Sequence, residues 1–482
     1  MSRNKTSRRE FLRLSTVGAG AMLLAACGAQ QPEPAAPAAS AATAAPAASA
    51  ATAAPAASAA TAAPAVSEAT AAPAASAETV TLNVFVHENH PFDLVKPLFE
   101  AKYPNVKLNM MKNNDMNVFR TTLAAGDTDP GSVPDIFWPE PFDVQQLGKT
   151  GALFDCTELI EKHKSEFPEG KLVECFIPAS GKYASVPGAI SPTGLYWRPD
   201  IWEKAGVQMP DDWTWDDFIP AAQKIKKDTG AYSLFLPTDG SQLASVLWTF
   251  ILAQLGGSIT NADGTKVTMD DDKGIAAMAL VKRIYDADIA INDGMFNETF
   301  LSACKAGKVA AFPMQDWYRQ FGIGGSVKTP EEGLGKWRVA LLPRAVKDGI
   351  RTANFGGANT ASTKYTQHPT EVSAFLEFAH MTMEGSSAIA KFGNTPSYLP
   401  YLQGDEFLSL KAPIFGDQLY NKVWAEAIKQ YPTHWYKLPI YGEAMGEVDT
   451  KMPDILKGKV GVEEGMKAIG DTVRKLNERY QD

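Results

Sequence analysis

From Thr79 onward the sequence keeps switching between two periods, and this alternation restricts the possible folds more than any other feature. In TVTLNVFV, Val80, Leu82, Val84 and Val86 share one face at period two and Phe85 points to the other, as in a strand with a buried face. Residues 92–102 carry apolar positions at helical spacing around Pro97, where a proline starts or kinks a helix. VKLNM reads as a second strand, 115–125 as an amphipathic helix, and PDIFW as a buried strand end. A β-α-β-α order specifies an α/β fold with a mostly parallel sheet and helices on both faces. Such sheets take ligands beyond the carboxyl ends of their strands. The residues at those ends are His87, Glu88, Asn89 and His90 after the first strand, and Trp138, Pro139 and Glu140 after the third.

The sequence before Thr79 has another character. Between Ala35 and Thr79 the unit AAPAASAAT recurs, with Pro37, Pro46, Pro55, Pro64 and Pro73 at a spacing of nine. Proline at that interval interrupts helix, and nothing in the unit is large enough to bury, so a semi-extended tether is expected. Ahead of it stands SRREFLRLSTVGAGAMLLAACG. Its apolar run, Val17 to Ala26, falls well short of the about 20 residues that span a bilayer. A basic region, a short apolar region and small residues before a cut describe an export signal. Ser7 to Arg13 resembles the twin-arginine motif, and Leu24-Ala25-Ala26-Cys27 resembles a lipobox in which Cys27 takes the lipid. The expectation is a signal peptide over 1–26 and a lipidated Cys27 with its tether over 27–78. The body would then be held at the outer face of the cell membrane or in the periplasm.

Charge and cysteine usage narrow the partners. The chain carries a formal net charge of −9, and residues 1–26 contribute +4 of it, which leaves −13 on the rest. Nucleic acid and anionic surfaces reward clustered Lys and Arg, so both are disfavoured. The length after the tether suggests two domains. Cys156, Cys175 and Cys304 lie in this body. Export permits a Cys156–Cys175 disulfide and equally permits two thiols. Cys304 shares a helical face with Phe300 and Leu301 and reads as a buried thiol.

YPNVKL, VPDIFW with Gly151-Ala152-Leu153-Phe154-Asp155, KYASVPGAISPTGLYWRPDIWEKAG and PDDWTWDDF follow in order. Lys308 to Trp317, Phe355-Gly356-Gly357, the helical stretch 369–383 and GVEEGMKAIGDTVRKLNERY complete the series. This order resembles the extracellular solute-binding proteins of ABC importers, especially the carbohydrate-binding group that includes maltose-binding protein. The resemblance implies a two-lobed, periplasmic-binding-protein-like (type II) α/β fold with a hinge and an interlobe cleft. Lobe I would comprise 79–189 and 358–399, and lobe II 190–357 and 400–482. It also implies a sugar ligand, an ABC permease as partner, a monomer and no cofactor.

Aromatic plates cover the C–H face of a sugar ring while carboxylates and amides meet its hydroxyls. By resemblance Trp138 and Trp317 stand on opposite walls of the cleft, with Trp248 and Ser245 on a helix of the second lobe. Core packing is an equal reading for Trp248. Glu88, Asn89, His90 and Glu140 would supply polar contacts, and Phe355, Gly356 and Gly357 would lie where the chain returns to the first lobe. Thr214 and Asp217 form a capping arrangement, and Trp213 and Trp215 read as core. A glycosidase would need two carboxylates about 5 to 9.5 Å apart. Asp135, Glu140 and Asp143 are available, but Asp135 reads as structural and no nucleophile elbow, zinc motif or phosphate loop occurs. His87 and His90 form an HxxH that could begin a metal site. A binding protein for a glycerophosphodiester or metal chelate is the alternative, and a secreted glycoside hydrolase a remote one.

Overall fold

In the computed structural model, residues 79–240 and 243–481 are described. The expected signal peptide, lipidated Cys27 and tether lie outside the described residues. The alternating valines form β1 (Val80–Val86), which pairs in parallel with β2 (Val106–Lys112) and β3 (Ile136–Phe137). On the far side of β3, β12 (Asn359–Ser362) runs antiparallel and hands on to β6 (Val186–Pro187). The resulting order is β2-β1-β3-β12-β6. Leu82, Val84 and Val86 enter one core while Phe85 packs against Phe119 on the opposite face, as period two requires. The helix Phe92–Lys102 continues through Pro97, which removes one donor without ending it.

The second sheet departs from the parallel expectation. Here β7 (Thr193–Trp197) lies between β10 (Ala311–Gln315) and β11 (Arg338–Ala340), and both neighbours run antiparallel to it. The reason is topological: β7 carries the chain away from the first lobe, whereas β10 ends where the chain comes back toward it. Thr214 caps the helix Trp215–Thr229 with the full reciprocal box to Asp217. Cys304 is fully buried beside Phe300. Cys156 and Cys175 are free buried thiols, and burial pushes the Cys175 thiol up to about 12.

Two large apolar cores result, with smaller clusters around Phe119 and around Val144. One contains Leu82, Phe99, Ile136, Val186, Ile190, Ala358, Phe375, Ile389 and Phe407. The other contains Leu195, Trp202, Phe218, Trp248, Phe312, Ala353, Ala412, Trp424 and Val473. Core membership changes between Ile190 and Leu195, between Ala353 and Ala358, and between Phe407 and Ala412, and Ile428 and Tyr431 then reach back into the first core between Ala427 and Trp435 of the second. The first two of these crossings run side by side. Ala189 N–H donates to Ala358 O at 2.9 Å, and Thr193 N–H donates to Ala353 O at 3.1 Å.

Candidate functional site between the two cores

Trp138 and Trp317 sit just past strand ends, against residues of these crossings. On the first wall β3 delivers Trp138, which is only 7 % exposed. Its ring meets His90 and Phe92 edge-on, with centroids 4.6 and 5.3 Å away. His90 is buried and its Nδ1 accepts the Phe92 N–H at 3.2 Å. Burial drives His90 well below its ordinary pKa, and the neighbouring His87 adds to this. His90 is therefore a neutral support behind Trp138, not the ligand contact expected from sequence. Glu88 and Asn89 are exposed, and the Glu88 N–H is held by Asn114 Oδ1 at 3.1 Å.

Glu140 follows at the start of the helix Pro141–Lys149 and makes no side-chain capping bond. Its side chain touches solvent. Protein around it nonetheless removes enough water to raise its carboxyl above the usual range, opposed most strongly by Lys437. The other two carboxylates are engaged elsewhere. Asp135 accepts from the Asn83 N–H at 2.9 Å and Thr366 Oγ1 at 2.6 Å. Asp143 is buried against Arg120. Of the three, only Glu140 is left to address a ligand.

On the second wall β10 ends at Gln315 and leads into Asp316 and Trp317. Asp316 is buried, and its Oδ2 accepts the Thr395 N–H at 3.0 Å. Trp317 is half-buried and nearly parallel to Phe296, with centroids 6.0 Å apart and planes 12° apart. A Cβ placed on Gly356 would lie 3.5 Å from Trp317 Nε1, so this tryptophan stands against the crossing segment. Gly356 and Gly357 adopt φ of 76° and 90°, a region that favours glycine. Half-buried Phe355 packs edge-on toward Phe250.

Two expected contacts lie elsewhere. Trp248 has no exposed surface and donates its indole N–H to Gly274 O at 3.2 Å. Ser245 is equally buried, with its N–H held by Asp449 Oδ1 at 2.7 Å. Trp248 belongs to the second core, because its helix, Val246–Gln254, is buried along its whole length, and Ser245 is buried at the start of that helix. Trp213 and Trp215 are also core, the latter donating to Gln254 Oε1 at 2.9 Å.

Sequence reasoning passed over a cluster of charges under the site: Lys171, Glu174 and Lys437. Lys437 Nζ donates to Gly356 O at 2.7 Å and stands 3.3 Å from Glu174 Oε1. The detectable signal was the stretch EGKLVEC, where a lysine and a glutamate three apart interrupt apolar residues. Among the described residues, no group of three or more His, Cys, Asp or Glu side chains could hold a metal. No helix among them is long and apolar enough to cross a membrane.

Known proteins share this architecture. The chain is 26% identical over 317 residues to an arabinooligosaccharide-binding protein of Bacillus subtilis, covering 63% of this chain and 69% of that one. It is 27% identical over 394 residues to a lactose-binding protein of Rhizobium radiobacter, covering 77% and 86%. Among solved structures, an ABC transporter associated binding protein from B. animalis subsp. lactis, in complex with beta-1,6-galactobiose, superposes with a TM-score of 0.65. That match is 21% identical and covers 84% of this chain and 98% of that one. These relatives are named as binding proteins, not as enzymes. With two cores joined by paired crossings, and with residues 75–379 matching its pattern, the chain belongs to the bacterial extracellular solute-binding protein family.

Proposed function

We propose that this chain is the substrate-binding component of an ABC importer, capturing a mono- or oligosaccharide between its lobes and delivering it to the membrane permease. One observation carries the reading. Trp317 is a half-buried ring beside Gly356, and the unengaged carboxylate of Glu140 follows Pro139, whose carbonyl accepts the Asn359 N–H at 2.9 Å from the same returning segment. A plate for the C–H face of a sugar and an acceptor for its hydroxyls thus converge on one stretch of chain. Glu140 and the exposed Glu88 would repel a phosphodiester, which favours a neutral sugar.

The proposed contacts are Glu88, Asn89, Trp138, Glu140, Trp317, Phe355, Gly356 and Gly357. We draw lobe I as 79–189 and 358–408 and lobe II as 190–357 and 409–482. The third crossing moves past Pro400 because Tyr401, Leu402 and Phe407 lie in the first core. Ligand gripped by both lobes favours the form that makes both sets of contacts. Export and lipid attachment at Cys27 complete the proposal, and membrane fractionation of Cys27→Ala tests it. Release of the variant is expected, and full retention refutes the anchor.

Calorimetry against neutral mono- and oligosaccharides tests the function. Binding without product formation is the expected result. A phosphodiester or metal chelate binding in place of every sugar replaces the sugar reading, and accumulating product restores an enzyme.

A further inference from the structure

The helix Glu169–Cys175 places Lys171 and Glu174 among Leu172, Val173 and Cys175. Their side chains are 0% and 1% exposed. Buried ions are costly unless each is paired and hydrogen-bonded, and a bond that spans two bodies makes such a pair a candidate switch. The pairing here does span two bodies. Lys171 Nζ donates to Glu174 Oε2 at 2.6 Å and to Gly357 O at 2.5 Å. Lys437, set between the second-core residues Trp435 and Ile440, donates to Gly356 O at 2.7 Å. Glu174 Oε1 accepts from Asn354 Nδ2 at 2.8 Å and lies 3.3 Å from Lys437 Nζ.

Two successive carbonyls of the crossing segment are thus each held by an ammonium group, one rooted in each lobe. A single carboxylate joins the two. The peptides concerned belong to Gly356 and Gly357, whose positive φ marks the point where the chain has most freedom to rotate. Lys437 is also the cation that acts most strongly on Glu140 in the cleft.

We propose that the Lys171–Glu174–Lys437 cluster is the latch of the hinge, with Lys171 holding the crossing segment from the first lobe and Lys437 from the second. Opening the lobes would pull one ammonium group off its carbonyl and away from Glu174, so the cluster favours one lobe angle. The effect on affinity rests on the sugar-binding reading; the latch itself rests on the cross-lobe geometry.

The test compares wild type with Lys437→Met, which keeps the hydrocarbon stem and removes the charge, and with Lys437→Arg, which restores a cation. Small-angle X-ray scattering of the unliganded proteins reads the lobe angle, and calorimetry with the best sugar of the panel reads affinity. Lys437→Met is expected to show a larger radius of gyration and at least tenfold weaker binding, and Lys437→Arg to recover part of both. Glu174→Gln, which keeps one acceptor oxygen and removes the charge, should move both readouts in the same direction. Wild-type radius and affinity in the Met and Gln variants overturn the latch. So does failure of both to fold, because a latch is dispensable to the packing of each lobe. If no sugar binds wild type, the functional reading falls alone, and scattering still decides the latch.

Discussion

The first core is assembled from Val, Leu, Ile and Phe around a five-stranded sheet, and Trp138 is its only tryptophan. The second core wraps a three-stranded sheet and buries Trp202, Trp213, Trp215, Trp248, Trp337, Trp424 and Trp435. A small sheet covers little area, so helices packed on it leave volume that large rings fill efficiently. A high tryptophan content therefore reports first on how the second lobe is packed. Only Trp138 and Trp317 stand just past strand ends, against residues of the crossings, and they differ from each other. Trp138 is nearly enclosed by His90 and Phe92, while Trp317 is half-open beside Gly356.

Truncating these residues sharpens the contrast. Trp248→Ala should cost about 3–5 kcal/mol of stability, as for a fully buried aromatic, and leave ligand affinity of the folded fraction unchanged. Urea unfolding paired with calorimetry checks both halves. Trp138→Ala should cost about 3 kcal/mol of stability and weaken binding as well, since the ring is a core member with one accessible edge. Trp317→Ala should lose more than tenfold in affinity, about 2 kcal/mol, with a smaller loss of stability. From sequence alone, Trp138 and Trp317 were expected to behave alike. Equal stability losses for the two would remove the distinction drawn between the walls.

What was legible in the sequence was whatever has a local period. The Val80–Val86 face, the Thr214–Asp217 box and the buried Cys304 face each follow from spacing within a few residues. The Lys171–Glu174–Lys437 cluster does not, because Lys437 joins it from far along the chain. Trp248 shows the same limit from the other side. Its helix is apolar all round, so no stripe says which face meets solvent.

The lobes should also respond oppositely to acid. His380, in the first core, is pushed down to about 3 by burial. Its folded pKa lies below the unfolded value near 6.5, so its contribution is complete above that pH and is lost as the pH falls toward 3. Asp316, just past the end of β10, is raised to about 6, chiefly by burial. Its contribution has the reverse sign: complete below about pH 4 and lost as the pH rises through 6. His380→Gln should flatten the fall in Tm between pH 6.5 and 4. Asp316→Asn, which keeps an acceptor for the Thr395 N–H, should raise Tm near pH 7.5. A calorimetric pH series on both variants checks the signs, and identical slopes would contradict the assignment.

The smallest expected effects ask whether the two lobes unfold as one body. Thr214 Oγ1 caps the Trp215–Thr229 helix, whose Trp215, Phe218 and Ile225 lie in the second core. Thr382 Oγ1 accepts the Gly385 N–H at 3.1 Å and caps the Met383–Phe392 helix, whose Ala388, Ile389 and Ala390 lie in the first. Removing either hydroxyl leaves backbone donors without their partner and should cost about 1 kcal/mol. Thr214 gives up its box with Asp217, and Thr382 its bonds to the Gly385 N–H and Phe378 O, so the number of transitions and not the size of each shift reports on the lobes. If the paired crossings and the buried ion cluster make the lobes one cooperative unit, both variants shift the same single transition. If the lobes unfold separately, each variant shifts one transition and leaves the other in place. Differential scanning calorimetry distinguishes the two outcomes. A single transition is expected, and Lys437→Met should be the change that splits it.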